Sequence, residues 1–101
     1  MLSRTVFKPS TEAYGLTVSQ TATLLDTLIA VPSDARMVRI QVETASVRMR
    51  SDGTSPAAGI GWLLQAGQEY EFQGWDYMKA IKLIRDTSTS GFINVQYSKA
   101  E

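Results

Sequence analysis

The stretch "RMVRIQVETASVRMRSDG", Arg36 to Gly53, decides the fold of this chain. In its first part, Val38, Ile40 and Val42 alternate with polar side chains. Successive side chains of a β-strand point to opposite faces, so this alternation predicts a strand with one buried face. The pattern resumes at Val47, and the closing Asp-Gly dipeptide tolerates the positive φ angles of a tight turn. The stretch therefore predicts two short strands followed by a turn.

Other segments repeat this pattern. "EYEF" at residues 69–72 and "FINVQY" at residues 92–97 alternate in the same way. The predicted turns lie at Pro32–Ala35, Ala66–Gly67 and Thr87–Gly91, which are rich in proline, glycine or small polar residues. Short alternating runs with regular turn signals are typical of all-β domains. We therefore expect a single small β-sandwich or jelly-roll of about 7–8 short strands.

Three segments are harder to assign. Residues 16–31 are rich in Thr, Leu and Val and lack a helical cap, which favours a strand. Residues 76–86 fit a short turn of helix followed by a strand over Ala80–Arg85. Pro9, Ser10 and Gly15 interrupt any regular element near the start. These features predict an extended N-terminal arm at residues 1–15 and one β domain at residues 16–101.

Composition limits the classes of function. A chain of 101 residues with 44% hydrophobic and 20% charged residues is typical of one globular domain. Ten basic and ten acidic residues cancel, so we expect no direct nucleic-acid partner. No segment approaches the roughly 18 apolar residues of a membrane span, and the first ten residues lack the apolar core of a signal peptide. We therefore expect a soluble protein that is synthesised in the cytoplasm and has no membrane partner.

The sequence contains neither histidine nor cysteine. Disulfides, thiolate metal sites, Ser-His-Asp triads and ordinary zinc sites are thereby excluded. Glu69 and Glu71 share one strand face, whereas glycoside chemistry needs two carboxylates across a gap. The glycines at Gly59 and Gly61 lack the rest of a dinucleotide fingerprint. We therefore expect no enzyme activity, no catalytic residues, no cofactor and no metal site.

Arg48 and Arg50 are the first candidates for partner contact, because both project from the outer face of one predicted strand. Such a pair could dock acidic groups of another protein. The alternative is cross-strand pairing within the chain, with Glu43 or with Glu69 and Glu71.

Trp62, Trp75 and Tyr77 are the second candidates, because tryptophan and tyrosine are favoured at protein interfaces and on sugar-binding surfaces. Tryptophan also commonly fills the centre of a small sandwich. We therefore expect at least one of the two tryptophans in the core.

The last two-thirds of the chain resemble a group of small tailed-bacteriophage virion proteins. The shared pattern is a "DAR" strand entry, "VET" before "VR-R-DGT-P", an "LL-AG" turn, then "IR" and a final "NV-Y" strand. The matching residues are Asp34–Arg36, Val42–Thr44, Val47–Arg48, Arg50, Asp52–Thr54, Pro56, Leu63–Leu64, Ala66–Gly67, Ile84–Arg85, Asn94–Val95 and Tyr97. These residues mark strands and turns and include no chemical site.

What the resemblance implies is a structural role, similar to the jelly-roll head decoration or cement proteins of short-tailed phages. The expected location is the capsid surface of the virion, the expected partner is the major capsid protein, and the expected assembly is a dimer or trimer. Two alternatives stay open. One is a carbohydrate-binding or adsorption module that uses Trp62, Trp75 and Tyr77 as a stacking platform. The other is a neck or tail adaptor of the virion.

Overall fold

The computed structural model describes residues 7–57 and 59–100, in which eight strands and two short helices form. The strands are β1 (Phe7–Val18), β2 (Thr23–Leu24), β3 (Ala35–Glu43), β4 (Val47–Arg50), β5 (Trp62–Leu64), β6 (Glu69–Gln73), β7 (Lys82–Arg85) and β8 (Gly91–Ala100). The helices are α1 (Leu25–Leu28) and α2 (Trp75–Ala80). This content confirms the prediction of an all-β domain.

The strands form two antiparallel four-stranded sheets. The strand order is β1-β8-β3-β6 in the first, called sheet A here, and β2-β7-β4-β5 in the second, called sheet B. The first strand thus pairs with the last, the second with the seventh, the third with the sixth and the fourth with the fifth. This nested pairing is one long hairpin wrapped into two sheets, which is the arrangement of a jelly roll.

The core lies between the two sheets and is filled by the alternating residues. Val38, Ile40 and Val42 of β3 are fully buried, as are Ile93 and Tyr97 of β8. Each contributes apolar area removed from water, the dominant stabilising term of such a domain. The Tyr97 hydroxyl donates a 2.8 Å hydrogen bond to the Ile29 carbonyl oxygen, and burial raises the pKa of this phenol.

The turn predictions hold at the level of the backbone. Gly53 and Gly67 both have positive φ, at 85° and 86°, in the turns that follow β4 and β5. The Ala35 amide donates to the Pro32 carbonyl oxygen at 3.0 Å, which closes the predicted turn before β3. The positive φ predicted for Gly53 is confirmed, and residues 52–54 form a bend in the loop between β4 and β5, in which the Thr54 amide donates to Asp52 Oδ1 at 3.1 Å.

The arm prediction is wrong for residues 7–15, and residues 1–6 lie outside the described part of the chain. Strand β1 begins at Phe7 and pairs with β8 along its whole length. The pairing register shifts between Pro9 and Thr11, and again between Ala13 and Leu16. These β-bulges coincide with the residues that break the alternation, because the extra residue of a bulge disturbs the two-residue period locally.

The two helices lie at the ambiguous segments. The strand expected over residues 16–31 is wrong for Leu25–Leu28, which form α1 with no side-chain cap. The helix-then-strand interpretation of residues 76–86 is confirmed in outline, with α2 ending at Ala80 and β7 beginning at Lys82. An ion pair of 2.8 Å between Lys79 Nζ and Asp26 Oδ2 joins the helices and lowers the pKa of the Asp26 carboxyl.

Candidate functional site

An apolar surface lies at one open edge of the sandwich. Strands β5 and β6 are the outer strands of sheets B and A there, so one backbone edge of each is unpaired. Between them runs a cleft of about 190 Å³, which we call the edge cleft. It is lined by Met49, Trp62, Leu63, Leu64, Tyr70, Phe72 and Tyr77. A free strand edge beside apolar side chains is a common template for binding another chain.

Contacts within the chain involve three of the aromatic residues of the edge cleft. Trp62 is 71% exposed and Tyr77 is 39% exposed. The rings of Phe72 and Tyr77 stack with centroids 5.6 Å apart at an interplanar angle of 15°. The Tyr70 hydroxyl accepts a 2.8 Å hydrogen bond from the Gln65 amide, which ties β6 to the end of β5. The cleft therefore presents large apolar groups on a fixed support.

Gly61 positions the exposed tryptophan. Its φ is 125°, and a Cβ atom there would lie 2.8 Å from the Met49 carbonyl oxygen. Only glycine combines that backbone angle with so close an approach. The chain can therefore enter β5 tightly against β4, which sets Trp62 opposite Met49 in the strand register.

Arg48 is held within the chain by Asp86. Arg48 Nε donates to Asp86 Oδ1 at 2.7 Å, and Arg48 Nη1 donates to the Gly61 carbonyl oxygen at 3.1 Å. About one-fifth of each side chain of the ion pair is exposed, at 21% and 18%. The Arg48 guanidinium, followed by the Gly59 amide, lowers the pKa of the Asp86 carboxyl. The pair links β4 to the chain just after β7 and to the loop before β5.

Arg50 is also paired, with Asp52 two residues further on. That hydrogen bond, together with one from the Thr54 amide, lowers the pKa of the Asp52 carboxyl. The cross-strand partners expected from the sequence, Glu43 or Glu69 and Glu71, are wrong: the carboxylates that pair with these arginines belong to Asp86 and Asp52. Contact of either arginine with a partner protein stays a prediction.

The expectation that at least one tryptophan lies in the core is wrong. Trp62 lies on a three-residue edge strand, and Trp75 is 36% exposed at the start of α2. The Trp75 indole Nε1 donates to the Pro32 carbonyl oxygen at 3.1 Å, and Lys79 Nζ lies 5.3 Å from the ring centroid. Aliphatic side chains, methionines and Tyr97 fill the core instead.

The structure brings together some of the candidate residues and separates others. Trp62 and Tyr77 share the edge cleft, and Arg50 lies beside Trp62 at a shallow hollow on its other side. Trp75 belongs to neither group, because its hydrogen bond and cation–π contact hold it against Pro32 and Lys79. A single stacking platform of Trp62, Trp75 and Tyr77 is therefore not formed.

A second concave surface lies on the outer face of sheet A, and sequence reasoning missed it. This outer groove has a volume of about 140 Å³. It is lined by Glu12, Tyr14, Arg39, Gln41, Glu69, Asn94, Val95 and Gln96, which come from β1, β3, β6 and β8. Tyr14 is 71% exposed, the same fraction as Trp62. The alternation of Asn94 and Gln96 is the only sequence pattern that indicates this groove. Its other lining residues come together only through the pairing of four strands.

Residues 7–57 and 59–100 contain neither a candidate metal site nor a helix that could span a membrane. No group of three or more Asp or Glu side chains there lies close enough to hold a metal ion. In the same part of the chain, neither helix has the length and apolar character that crossing a bilayer requires.

In comparisons with known proteins, no family model, no curated protein and no solved structure matches this chain significantly. Its function is therefore argued from its own surfaces.

Proposed function

We propose that this chain is a structural virion protein, a capsid decoration or cement protein that binds between major capsid proteins and stabilises the DNA-filled head. The observation that carries the proposal is the edge cleft, where Trp62, Leu63 and Tyr77 are exposed beside two unpaired strand edges. Small soluble domains rarely expose such groups together unless another protein covers them. We name the major capsid protein as this partner because the chain resembles small phage virion proteins.

The chemistry of the cleft suits a protein partner. Trp and Tyr are the side chains that most often dominate binding energy at interfaces. The free edges of β5 and β6 offer backbone donors and acceptors to an extended segment of a capsid subunit. Many identical copies on one shell convert modest individual contacts into stable attachment. The neutral net charge also suits a surface contact that does not depend on DNA.

The test is the amount of this protein on virions produced by the phage that encodes it. Trp62→Ala should lower its affinity for the shell about tenfold or more, because it removes the most exposed aromatic anchor. Tyr14→Ala is the matched control: the side chain is equally exposed but lies on the outer face of sheet A. Occupancy is measured by quantitative gel densitometry of purified particles, after circular dichroism has shown that both variants fold.

Two results would contradict the proposal. Wild-type occupancy of Trp62→Ala would remove the edge cleft from the docking surface. Particles that lack the protein but release their genome at the same temperature as wild-type particles would exclude a cement function. Copy number separates the neck or tail adaptor, which forms a single ring, from a decoration protein spread over the whole head.

A ligand-binding module is the second candidate, and one observation favours it: both tryptophans are exposed. Under this alternative, replacement of Trp62 or Tyr77, which share the edge cleft, abolishes adsorption to the host surface while head occupancy and heat stability are unchanged. The same variant particles therefore distinguish the two candidates.

A further inference from the structure

We propose that the outer groove of sheet A is a binding site for a neutral saccharide, in which Tyr14 stacks against a sugar ring and side-chain amides bind its hydroxyls. The site is separate from the edge cleft and shares no residue with it. It requires no assumption about docking on a capsid.

The strand register builds the groove from two parallel rows. In one row Glu12, Gln96 and Arg39 lie side by side on β1, β8 and β3. In the other row Asn94 of β8 lies beside Gln41 of β3, and Gln41 lies beside Glu69 of β6. Neighbours within a row are roughly 4.8 Å apart and the rows are roughly 7 Å apart, the spacing of strands and of alternate residues. This surface therefore offers several polar groups that can reach different hydroxyls of one sugar ring.

A β-bulge sets the aromatic residue over these rows. Register is lost between Ala13 and Leu16, so Tyr14 and Gly15 form the bulge opposite β8. Gly15 has a φ of 64°, and its amide donates to Asn94 Oδ1 at 2.9 Å. Bulges commonly re-aim a side chain next to a functional surface. Here the bulge places an exposed tyrosine at the rim of a groove.

Hydrogen bonds fix the groove side chains in advance. The carboxylate of Glu12 accepts hydrogen bonds from the Tyr14 hydroxyl and the Gln96 amide. These bonds lower the pKa of the Glu12 carboxyl. The Asn94 amide nitrogen donates to Gln41 Oε1 at 2.9 Å. Gln41 Nε2 has no partner among the described residues and is available to donate to a ligand. Side chains that are already ordered lose less entropy when a ligand binds.

Charge and size select the class of ligand. The titratable lining groups carry one negative charge more than positive, since Glu12 and Glu69 face a single Arg39. This balance disfavours phosphate, sulfate and nucleic acid. The volume of about 140 Å³ is well below the roughly 300 Å³ at which pockets for drug-sized molecules begin. An open groove with an aromatic rim therefore suits one ring of a neutral oligosaccharide whose other units extend into solvent.

The experiment begins with an array of neutral and anionic microbial oligosaccharides, probed with the full chain. The neutral oligosaccharide that gives the strongest signal is then titrated calorimetrically. Tyr14→Ala should weaken its binding about tenfold, because the stacking surface is lost. Tyr14→Phe keeps the ring and should stay within about threefold, as expected for the loss of one exposed hydroxyl contact. Trp62→Ala, the matched aromatic control in the edge cleft, should bind like wild type.

Titration of ¹⁵N-labelled protein with the same oligosaccharide locates the site. The expected result is chemical-shift change in the side-chain amides of Gln41, Asn94 and Gln96. The proposal is overturned if no neutral oligosaccharide binds, if anionic oligosaccharides bind more tightly, or if Tyr14→Ala binds normally. It is also overturned if Trp62→Ala abolishes binding, which would support the aromatic ligand module instead. Virion occupancy of Tyr14→Ala is a separate measurement, so either proposal can fail without the other.

Discussion

The two open edges of the sandwich differ in the features of their outer strands that prevent pairing with another chain. At one edge, β1 carries Lys8 and Pro9 and is broken by two bulges, and its neighbour β2 has only two residues. Charge, proline, bulges and shortness are the devices that keep an edge from pairing with another chain. At the other edge, β5 exposes Trp62 and Leu63 beside β6. One edge combines several of these devices. The other has a short outer strand, β5, and carries Glu69 and Glu71 on β6, but it also exposes apolar side chains beside free backbone groups.

The contrast favours the edge formed by β5 and β6 as the docking surface of the proposed partner. An exposed apolar strand edge promotes aggregation in solution. If this edge had no binding role, we would expect both edges to carry the full set of protective features. The edge formed by β5 and β6 is also the one supported by the Arg48–Asp86 pair and by the tight backbone at Gly61. We infer that the residues around β5 hold a binding surface in shape, whereas β1 closes the sheet. Four predictions test this difference.

The largest effect is expected for two glycines, one at each edge. Gly61→Ala forces a φ of 125° on an alanine and pushes its Cβ to 2.8 Å from a backbone oxygen. We expect it to lower the free energy of unfolding by about 3 kcal/mol, the upper end for backbone strain. Gly15→Ala has positive φ but open space around the new Cβ, so about 1 kcal/mol is expected. Urea denaturation measures both; equal losses would contradict the idea that the β5 edge is the tightly built one.

The second prediction concerns the two arginines. Arg48→Gln should lower the free energy of unfolding by about 1–2 kcal/mol at neutral pH, because it removes a charge-assisted hydrogen bond that is mostly shielded from water. Arg50→Gln should leave the melting temperature nearly unchanged, since the Arg50–Asp52 pair is local and exposed. A larger loss of stability for Arg50→Gln than for Arg48→Gln would mean that the Arg50–Asp52 pair, and not the Arg48–Asp86 pair, supports this edge.

The same pair gives a pH dependence. The pKa of Asp86 is lowered in the folded state, so its pairing stabilises the fold above the unfolded pKa of about 4. That contribution is lost as the pH falls through the lowered folded-state pKa. The stability difference between wild type and Arg48→Gln should therefore shrink below about pH 4. A difference that stays constant into strong acid would mean that Arg48 acts through packing alone.

The smallest effect is expected at the turn that leads from β4 toward the exposed edge. Gly53 has a φ of 85°, and no atom lies within 4 Å of a Cβ built there. Gly53→Val should cost about 1 kcal/mol, from backbone conformation and not from a clash. Thermal unfolding followed by circular dichroism measures it. An unchanged melting temperature would show that the backbone of this turn can rearrange to accommodate valine. The tightly constrained backbone of the edge would then begin only at Gly61.

The sequence predicted the parts of the fold in which burial follows a two-residue period. In β3, β4 and β8 the alternating apolar side chains are buried, because one face of each strand packs on the core. Strand β1 was missed because most of its side chains are exposed on both faces and its bulges break the period. Helix α1 was missed because four residues without a cap leave no periodic signal.

The candidate surfaces were harder to predict because they depend on pairs that are distant in sequence. Arg48 meets Asp86, which is 38 residues away, and no local pattern connects the two. The position of Trp62 outside the core depends on its place in an edge strand, which the strand order decides. Tyr14 acquires its neighbours only when β1 pairs with β8. Composition alone did limit the chemistry, since a chain without His or Cys lacks the usual catalytic and zinc-binding groups.

The nested strand pairing has a consequence for how the protein is made. Strand β8 is the last in the chain, yet it lies inside sheet A between β1 and β3. Sheet A therefore cannot be completed until Gly91–Ala100 has been synthesised, and β1, although made first, waits for a partner. Contacts between such distant segments also slow folding, because the loop must close before the pairing is gained. During that interval the apolar residues of β5 and β6 are without their finished support, so the surface proposed to bind a partner is open to premature association.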